Sequence, residues 1–468
     1  METLLKIIQG GMGVNISSWN LARTVSMLGQ QGTVSGVALE IVVIRILQNG
    51  DPGGNIRRAF AQFPFQEHTK RILNSYFIEG GIKKNTKFRK TPFFTIEPSN
   101  FLISLVVCSN FAAVWLAKEG HQNPVSINYL EKASMPHIYA ITGAMLAGVD
   151  FITMGACMAL QIPKVIKDIM EGETASYIIP IDGKKITNWT MKFNPKSFFG
   201  SDLQLTKKPK FLPIVSSNLA ASAFIKYHEE DIYGFVIELD KAGGHNAWPR
   251  KPPCDKKTGE HLPIYGEKDV IDYFEFRKWE KPFWIGGAKA SPEMLKWAFS
   301  VGAKGIQVGS IFALSKESDM DENLKQKVRR LGFKGKLKIR TDTRISPTTY
   351  LFKVAEVKKT ISEKRVYKKR CRICDIGGLR FPYREIDGTI HYRCPAESLE
   401  MYRRKGGKEE DTVGRGCLCN GLFTTCGLGS QGEPPVITLG DILDFLKKLM
   451  KHSHDSYDAE DVIRYLIA

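Results

Sequence analysis

The chain has 468 residues, of which 43% are hydrophobic and 25% charged, with a formal net charge of +18. These proportions are those of a folded protein with a sizeable core, and they argue against a disordered chain, a collagen-like repeat and a membrane bundle. At roughly 100–200 residues per domain, the length accommodates one large domain with an extension or two to three smaller ones.

The opening residues, Met1 to Gln9, lack a basic start followed by an apolar run and a small-residue cleavage site. No secretory signal is therefore read, and a cytoplasmic location is expected. The longest nearly uninterrupted apolar stretches, such as Phe101 to Val107, fall far short of the roughly 20 residues of a spanning helix, so no membrane segment is expected. Nine cysteines in a chain of this size predict reduced thiols or metal ligands rather than a disulfide framework.

Short β-branched segments alternate with helical stretches along the first two thirds of the chain. The predicted strands are Ile7 to Gln9, Thr33 to Ser35, Val125 to Asn128, Asp150 to Met154, Leu212 to Ser216, Phe235 to Leu239, Phe283 to Ile285 and Gly305 to Val308. Phe101 to Cys108 reads either as a ninth strand or as the lead-in to a helix over Phe111 to Lys118. Alternation of this kind predicts βα units around a parallel sheet, and eight of them close into a (β/α)8 TIM barrel with its active site at the C-terminal strand ends. Glycines stand at those ends, in Gly10-Gly11-Met12-Gly13, Gly36, Gly155, Gly243-Gly244, Gly286-Gly287 and Gly309. A doubly wound sheet would instead carry a GxGxxG turn after its first strand, with an acid about 20 residues on. Neither feature is present.

The barrel is expected to span residues 1–335, with two insertions. Thr174 to Lys210 contains alternating stretches that predict a hairpin over the barrel mouth, and Trp248 to Tyr265 is a Pro- and Lys-rich loop. Residues 336–468 form a basic, cysteine-rich extension holding six of the nine cysteines and two helical segments, Ile442 to Met450 and Val462 to Ala468. It is large enough for a small domain or for a layer packed on the barrel. Lys325 to Arg372 holds 18 basic residues against Asp342, Glu356 and Glu363. The excess positive charge is thus local, and it suits either a solvated linker surface or contact with an acidic carrier protein, anionic lipid or nucleic acid. No aromatic-interleaved RNA motif or recognition-helix pattern accompanies it, so nucleic acid is not the expected partner.

Two segments carry the chemistry. Phe283 to Gly287 and Gly305 to Ser310 end consecutive strands in glycine, and Ser291-Pro292-Glu293 opens a helix between them. Glycines let main-chain N–H groups approach a phosphate, and barrels often bind phosphate after strands seven and eight. Val236 to Trp248 places His245 beside Gly243-Gly244, just past the sixth strand. A histidine there is suited to proton transfer near neutral pH.

These motifs, with Ile8-Gln9-Gly10-Gly11-Met12-Gly13 at the start and Gln307-Val308-Gly309-Ser310 at the eighth strand, resemble the nitronate monooxygenase family, formerly the 2-nitropropane dioxygenases. The resemblance covers roughly the first 330 residues and implies an FMN-containing TIM barrel. It implies that Gly11 and Met12 lie against the flavin, that Asn128 bonds to it, that Gly243 sits beside it, and that Gly287, Gln307, Val308, Gly309 and Ser310 hold its phosphate. His245 matches the active-site histidine, acting as base on a nitroalkane or stabilising a nitronate, which is oxidised with dioxygen to a carbonyl compound and nitrite. Glu238 departs from the pattern, standing where bacterial-type members often carry glutamine. Ala156 to Ile162 matches no cofactor contact, and none is assigned there. Related flavin barrels, the enoyl-thioester reductases that use NADH or NADPH, share the same glycines and histidine, and the basic segment would suit their acyl carrier proteins. A flavin-free scaffold holding nucleic acid on its basic tail is a third reading.

The extension adds Cys371-Arg372-Ile373-Cys374, Cys394, Cys417-Leu418-Cys419 and Cys426. A CxxC knuckle with distant partners can satisfy structural zinc, with Cys371, Cys374, Cys394, Cys417 and Cys419 as the ligand pool. Four thiolates can equally hold an iron–sulfur cluster, and free thiols are the alternative to both.

Overall fold

The eight segments read as strands all form strands: β1 (Ile7–Gln9), β2 (Gly32–Ser35), β3 (Val125–Leu130), β4 (Phe151–Gly155), β5 (Lys210–Val215), β6 (Phe235–Glu238), β7 (Phe283–Gly286) and β8 (Gly305–Val308). The computed structural model describes residues 5–83, 86–155, 158–200, 203–257, 259–430 and 432–468. The first four residues of the amino-terminal segment, and Ala156 and Cys157 of the run after β4, lie outside the described residues.

The strands follow the order β1-β8-β7-β6-β5-β4-β3-β2, every neighbouring pair parallel. The sheet closes between β1 and β2. The Gln9 N–H donates to the Gln31 carbonyl at 2.9 Å, and the Gln9 side-chain oxygen accepts from the Thr33 N–H at 2.9 Å. A parallel sheet covered on its outer face by helices and filled inside by side chains leaves no wet face, so the strands read as β-branched runs rather than alternating ones. Ile8, Phe151, Leu212, Val236 and Trp284 pack together as an inner cluster, and the Trp284 indole donates to the Leu5 carbonyl at 2.8 Å.

Closure leaves no space at some glycines. A Cβ on Gly305 would lie 1.9 Å from the Lys6 carbonyl oxygen. Gly305→Ala is therefore expected to cost about 3 kcal/mol or more, read as a lowered urea midpoint at unchanged slope.

Phe101 to Cys108 forms no strand. It belongs to the helix Asn100–Lys118, whose first turn is capped by Ser99 Oγ accepting from the Leu102 N–H. The helix is buried on nearly every side, so its apolar residues show no one-sided period, and a short window of it cannot be told from a buried strand. By length and composition it could cross a membrane, but most of it lies inside the fold.

The first insertion is the expected hairpin, Ala175–Ile181 paired antiparallel with Thr187–Phe193. Its turn meets a second hairpin from the extension, Phe381–Arg384 with Ile390–Arg393, through the bridge Asp182 to Tyr383 and an Arg393–Asp182 ion pair of 2.7 Å. The extension packs on the barrel mouth. Its strand Leu351–Ala355 pairs with Ile339–Asp342 on one side and with His245–Asn246 of the barrel on the other. The helices near the C-terminus are Phe445–Leu449 and Ala459–Ile467, the second capped by Asp458.

Part of the basic segment is internal rather than a solvated surface. The Lys325 ammonium is buried and donates to the carbonyls of Ser315 (3.0 Å) and Ser318 (2.8 Å). Arg329 is buried against the Leu314 carbonyl and Glu322, and Lys353 is paired with Asp441 at 2.7 Å. Lys325 and Arg329 are thus used inside the barrel, on the turn after its last strand, and Lys353 inside the extension.

Candidate functional site

Four rim loops converge at the C-terminal ends of the strands. After β1, the Ser17 hydroxyl donates to the Gly10 carbonyl (3.0 Å) and accepts from the Met12 N–H (3.0 Å), while Ser35 Oγ donates to the Gly13 carbonyl (2.6 Å). These bonds fold Gly10–Gly13 back over the rim. After β7, Gly287 and Ala288 both adopt left-handed backbone, at φ +85° and +56°. For alanine that is a strained conformation, and strain of this kind is commonly stored where a backbone must be presented to a ligand. The helix Pro292–Ser300 then starts from Ser291, whose Oγ accepts from the Met294 N–H at 3.2 Å. After β8, Gly309 leaves room for Met12, whose sulfur would sit 3.3 Å from a Cβ placed there.

The loop after β6 is gripped by the extension. The Gly244 N–H donates to Thr438 Oγ1 (2.7 Å), the Gly244 carbonyl accepts from the Lys353 N–H (2.9 Å), and the Asp441 N–H donates to the Lys241 carbonyl (3.1 Å). A Cβ on Gly243 would meet the Leu439 backbone at 2.9 Å, and the Gly440 N–H donates to Ser310 Oγ at 2.8 Å. Segment 436–441 therefore lies across the rim between β6 and β8.

Together these loops and the extension line a cavity that is open to solvent. Gly11, Met12, Gly243, Gly287, Gln307, Val308, Gly309 and Ser310 all line it, so the structure brings together eight residues expected around a cofactor. Asn128 is not on its wall; the side chain packs against Gly11, where an added Cβ would be 2.4 Å from that of Asn128. Lys241 and Lys289 line the same cavity. Sequence reasoning gave neither a role, although each lies within two residues of a paired glycine. The Lys289 ammonium stacks on Trp297 at 3.9 Å, and burial, then the neighbouring Lys241 charge, lowers its pKa.

His245 lies next to this cavity but not in it. It lines two neighbouring ones. Its Nε2 is hydrogen-bonded to Ser346 Oγ at 2.8 Å, Ser346 is bonded to Thr348 Oγ1 at 2.7 Å, and the ring packs edge-on against Phe352 at 4.9 Å. Enclosure by the chain, with the Lys132 charge nearby, pushes its pKa down to about 3. The imidazole is neutral at physiological pH. Glu238 joins the glycine-lined cavity to the first of the two beside it, opposite Gly286 in the β6–β7 register. Burial raises its carboxyl to about 7. Both insertions line these side cavities: Trp248, Arg250 and Tyr265 the first, Tyr177 to Pro180 the second. The second is walled chiefly by apolar groups, among them Ile41, Phe94, Leu102 and Phe423.

Arg344 of the extension is paired with Glu260 of the second insertion. Of the five cysteines expected as a zinc pool, Cys371 stands apart, exposed at the surface. The other four line one small pocket, but among the described residues no three of their sulfurs lie within 4.8 Å of one another, so the set is too wide for a single zinc ion.

No protein-family model matches the chain, and no curated protein matches it in sequence. Solved structures do resemble it. The enoyl reductase domain of MlnA from the macrolactin biosynthesis cluster of Bacillus amyloliquefaciens is 11% identical, with 99% of this chain and 93% of that chain covered at a TM-score of 0.50. FabK from Thermotoga maritima is 14% identical, with 100% and 93% covered and a TM-score of 0.49. The nitroalkane oxidase from Streptomyces ansochromogenes is 12% identical, with 99% and 94% covered and a TM-score of 0.43. At these identities the likeness bears on the fold alone, which is the (β/α)8 barrel.

Proposed function

We propose that this chain is an FMN-dependent oxidoreductase, with alkyl nitronates or nitroalkanes as its substrates, dioxygen as its oxidant, and a carbonyl compound and nitrite as products. The observation that carries the reading is the convergence of four glycine-bearing rim loops and two lysines on one cavity, although these groups come from opposite ends of the barrel sequence.

The residues present fit the cofactor. Lys241 and Lys289 supply two positive charges for a phosphate, and Gly10–Gly13, Gly287 and Gly309 bring main chain to the wall of the same cavity. FMN, when bound, supplies two-electron transfer. The chain's own groups position the substrate and move its proton. His245, neutral and fixed by Ser346, offers a hydrogen bond to a substrate oxygen rather than a charge. Glu238, with its pKa near working pH, is the better proton acceptor, since a general base is most effective when its pKa lies close to the operating pH. This revises the assignment of the base from histidine to glutamate.

One observation favours a second reading, reduction of an enoyl thioester by NADH or NADPH. The apolar cavity beside His245 is larger than a short nitroalkane needs, and the exposed part of the basic segment would suit an acidic acyl carrier. Anaerobic titration separates the two. Bleaching of the flavin by a nitronate supports the first; bleaching by NADH or NADPH, with recovery on adding an enoyl thioester, supports the second. His245→Asn should keep the yellow colour while lowering turnover about a hundredfold. Unchanged turnover with either substrate class would remove the histidine from the mechanism.

A further inference from the structure

Three separate segments of the extension bring cysteines to one place. Cys374 comes from the loop before the hairpin, Cys394 from the end of its second strand, and Cys417 and Cys419 from the start of the helix Leu418–Thr425. All four line one small pocket together with Arg380 and Glu397, and none is in a disulfide. Cys394 and Cys417 are buried and pack against Cys419, and the Cys394 N–H is held by Glu397 at 2.8 Å. Each of the four sulfurs is near enough to the other three for their charges to interact. Cys371, the residue that completes the CxxC motif, is outside the group and lies beside Gly432.

Buried free cysteines commonly act as small hydrophobes. Two features here do not suit that role. Arg380 faces Cys374 and Cys394, and Arg372 faces Cys394. Each guanidinium buries an Nε with no hydrogen-bond partner, which is a cost that packing among neutral thiols does not offset. Four thiolates around a metal centre would carry net negative charge and repay both arginines. The spacing narrows the choice of centre. Zinc with Zn–S bonds of roughly 2.3 Å holds its sulfurs closer together than about 4 Å, whereas no three of these lie within 4.8 Å of one another. A cluster binds each thiolate to a different iron and so holds its cysteines wider apart, around a core of several atoms.

We propose that Cys374, Cys394, Cys417 and Cys419 ligate an iron–sulfur cluster in the extension. The site does not depend on the flavin. It does adjoin the flavin cavity in the chain, because the helix that begins between Cys417 and Cys419 places Leu422 and Thr425 on that cavity's wall.

The test is iron and acid-labile sulfide analysis of the full chain, purified without oxygen, alongside Cys371→Ser and Cys394→Ser. About four iron and four sulfide per chain are expected in the wild type and in Cys371→Ser, with a reducible paramagnetic signal that survives removal of the flavin. Cys394→Ser should lose most of the iron. Should that variant fail to fold, the wild type and Cys371→Ser still decide the matter. One zinc per chain without iron or sulfide would overturn the proposal. So would a wild type that takes up no iron from ferrous iron and sulfide, or a Cys371→Ser variant that loses its iron.

Discussion

Replacing Lys241 and Lys289 together by alanine is expected to yield a folded protein that purifies without flavin. Both ammonium groups line the glycine cavity, and neither supports the barrel: Lys241 is exposed, and Lys289 rests on the face of Trp297. Burial, and then the Lys241 charge, lowers the pKa of Lys289, and an anion between the two ammonium groups would relieve that repulsion. A hydrogen bond to a charged group contributes about 1.5–3 kcal/mol, so each lysine accounts for about a ten- to hundredfold change in affinity. Titration of the flavin-free variant with FMN, followed by fluorescence quenching, measures the loss. Wild-type affinity in the double variant would place the phosphate elsewhere.

Glu238→Gln is expected to flatten the pH dependence of turnover around pH 7 and to lower its plateau. In the wild type the buried carboxyl titrates near 7, so the basic form needed to accept a proton accumulates as the pH rises through that value. His245 cannot supply this limb, because its pKa is held near 3 and it is already neutral throughout the range. Stability gives an independent readout. Between the ordinary value of 4.5 and the folded value near 7, the unfolded chain releases the proton while the folded chain keeps it, so folding becomes less favourable as pH rises through that window. Glutamine carries no such proton, and the variant should lose less stability than the wild type across the same window. A pH profile that keeps its limb in Glu238→Gln would return the proton to another group.

The barrel was legible because its strands are short, β-branched and ended by glycine, a pattern set locally by burial on both faces and by rim turns. The glycine-lined part of the site was legible for the same reason, since Gly11, Gly243, Gly287 and Gly309 each mark a place where backbone must come close to something. What they come close to was only partly readable. Gly243 faces Leu439 and Gly440, almost 200 residues further along, and no local signal announces that contact. The state of His245 is likewise set from a distance: burial beneath the extension, where Ser346 and Phe352 hold the ring, and the Lys132 charge lower its pKa, and no signal beside it in the sequence announces them. Asn128, expected on the flavin, fills the space that Gly11 leaves beside the cavity. In the helix Asn100–Lys118, burial on all sides erases the period that would have separated helix from strand. The basic segment misled because charge counted along the chain does not show that Lys325, Arg329 and Lys353 turn inward to carbonyls and carboxylates.

The most direct measurement is the visible spectrum of the full-length protein, with identification of whatever it releases on denaturation. A flavin absorption and close to one FMN per chain are expected, with the colour lost in the Lys241 and Lys289 double variant. Colourless wild-type protein that binds no added FMN would contradict the assignment of the rim cavity.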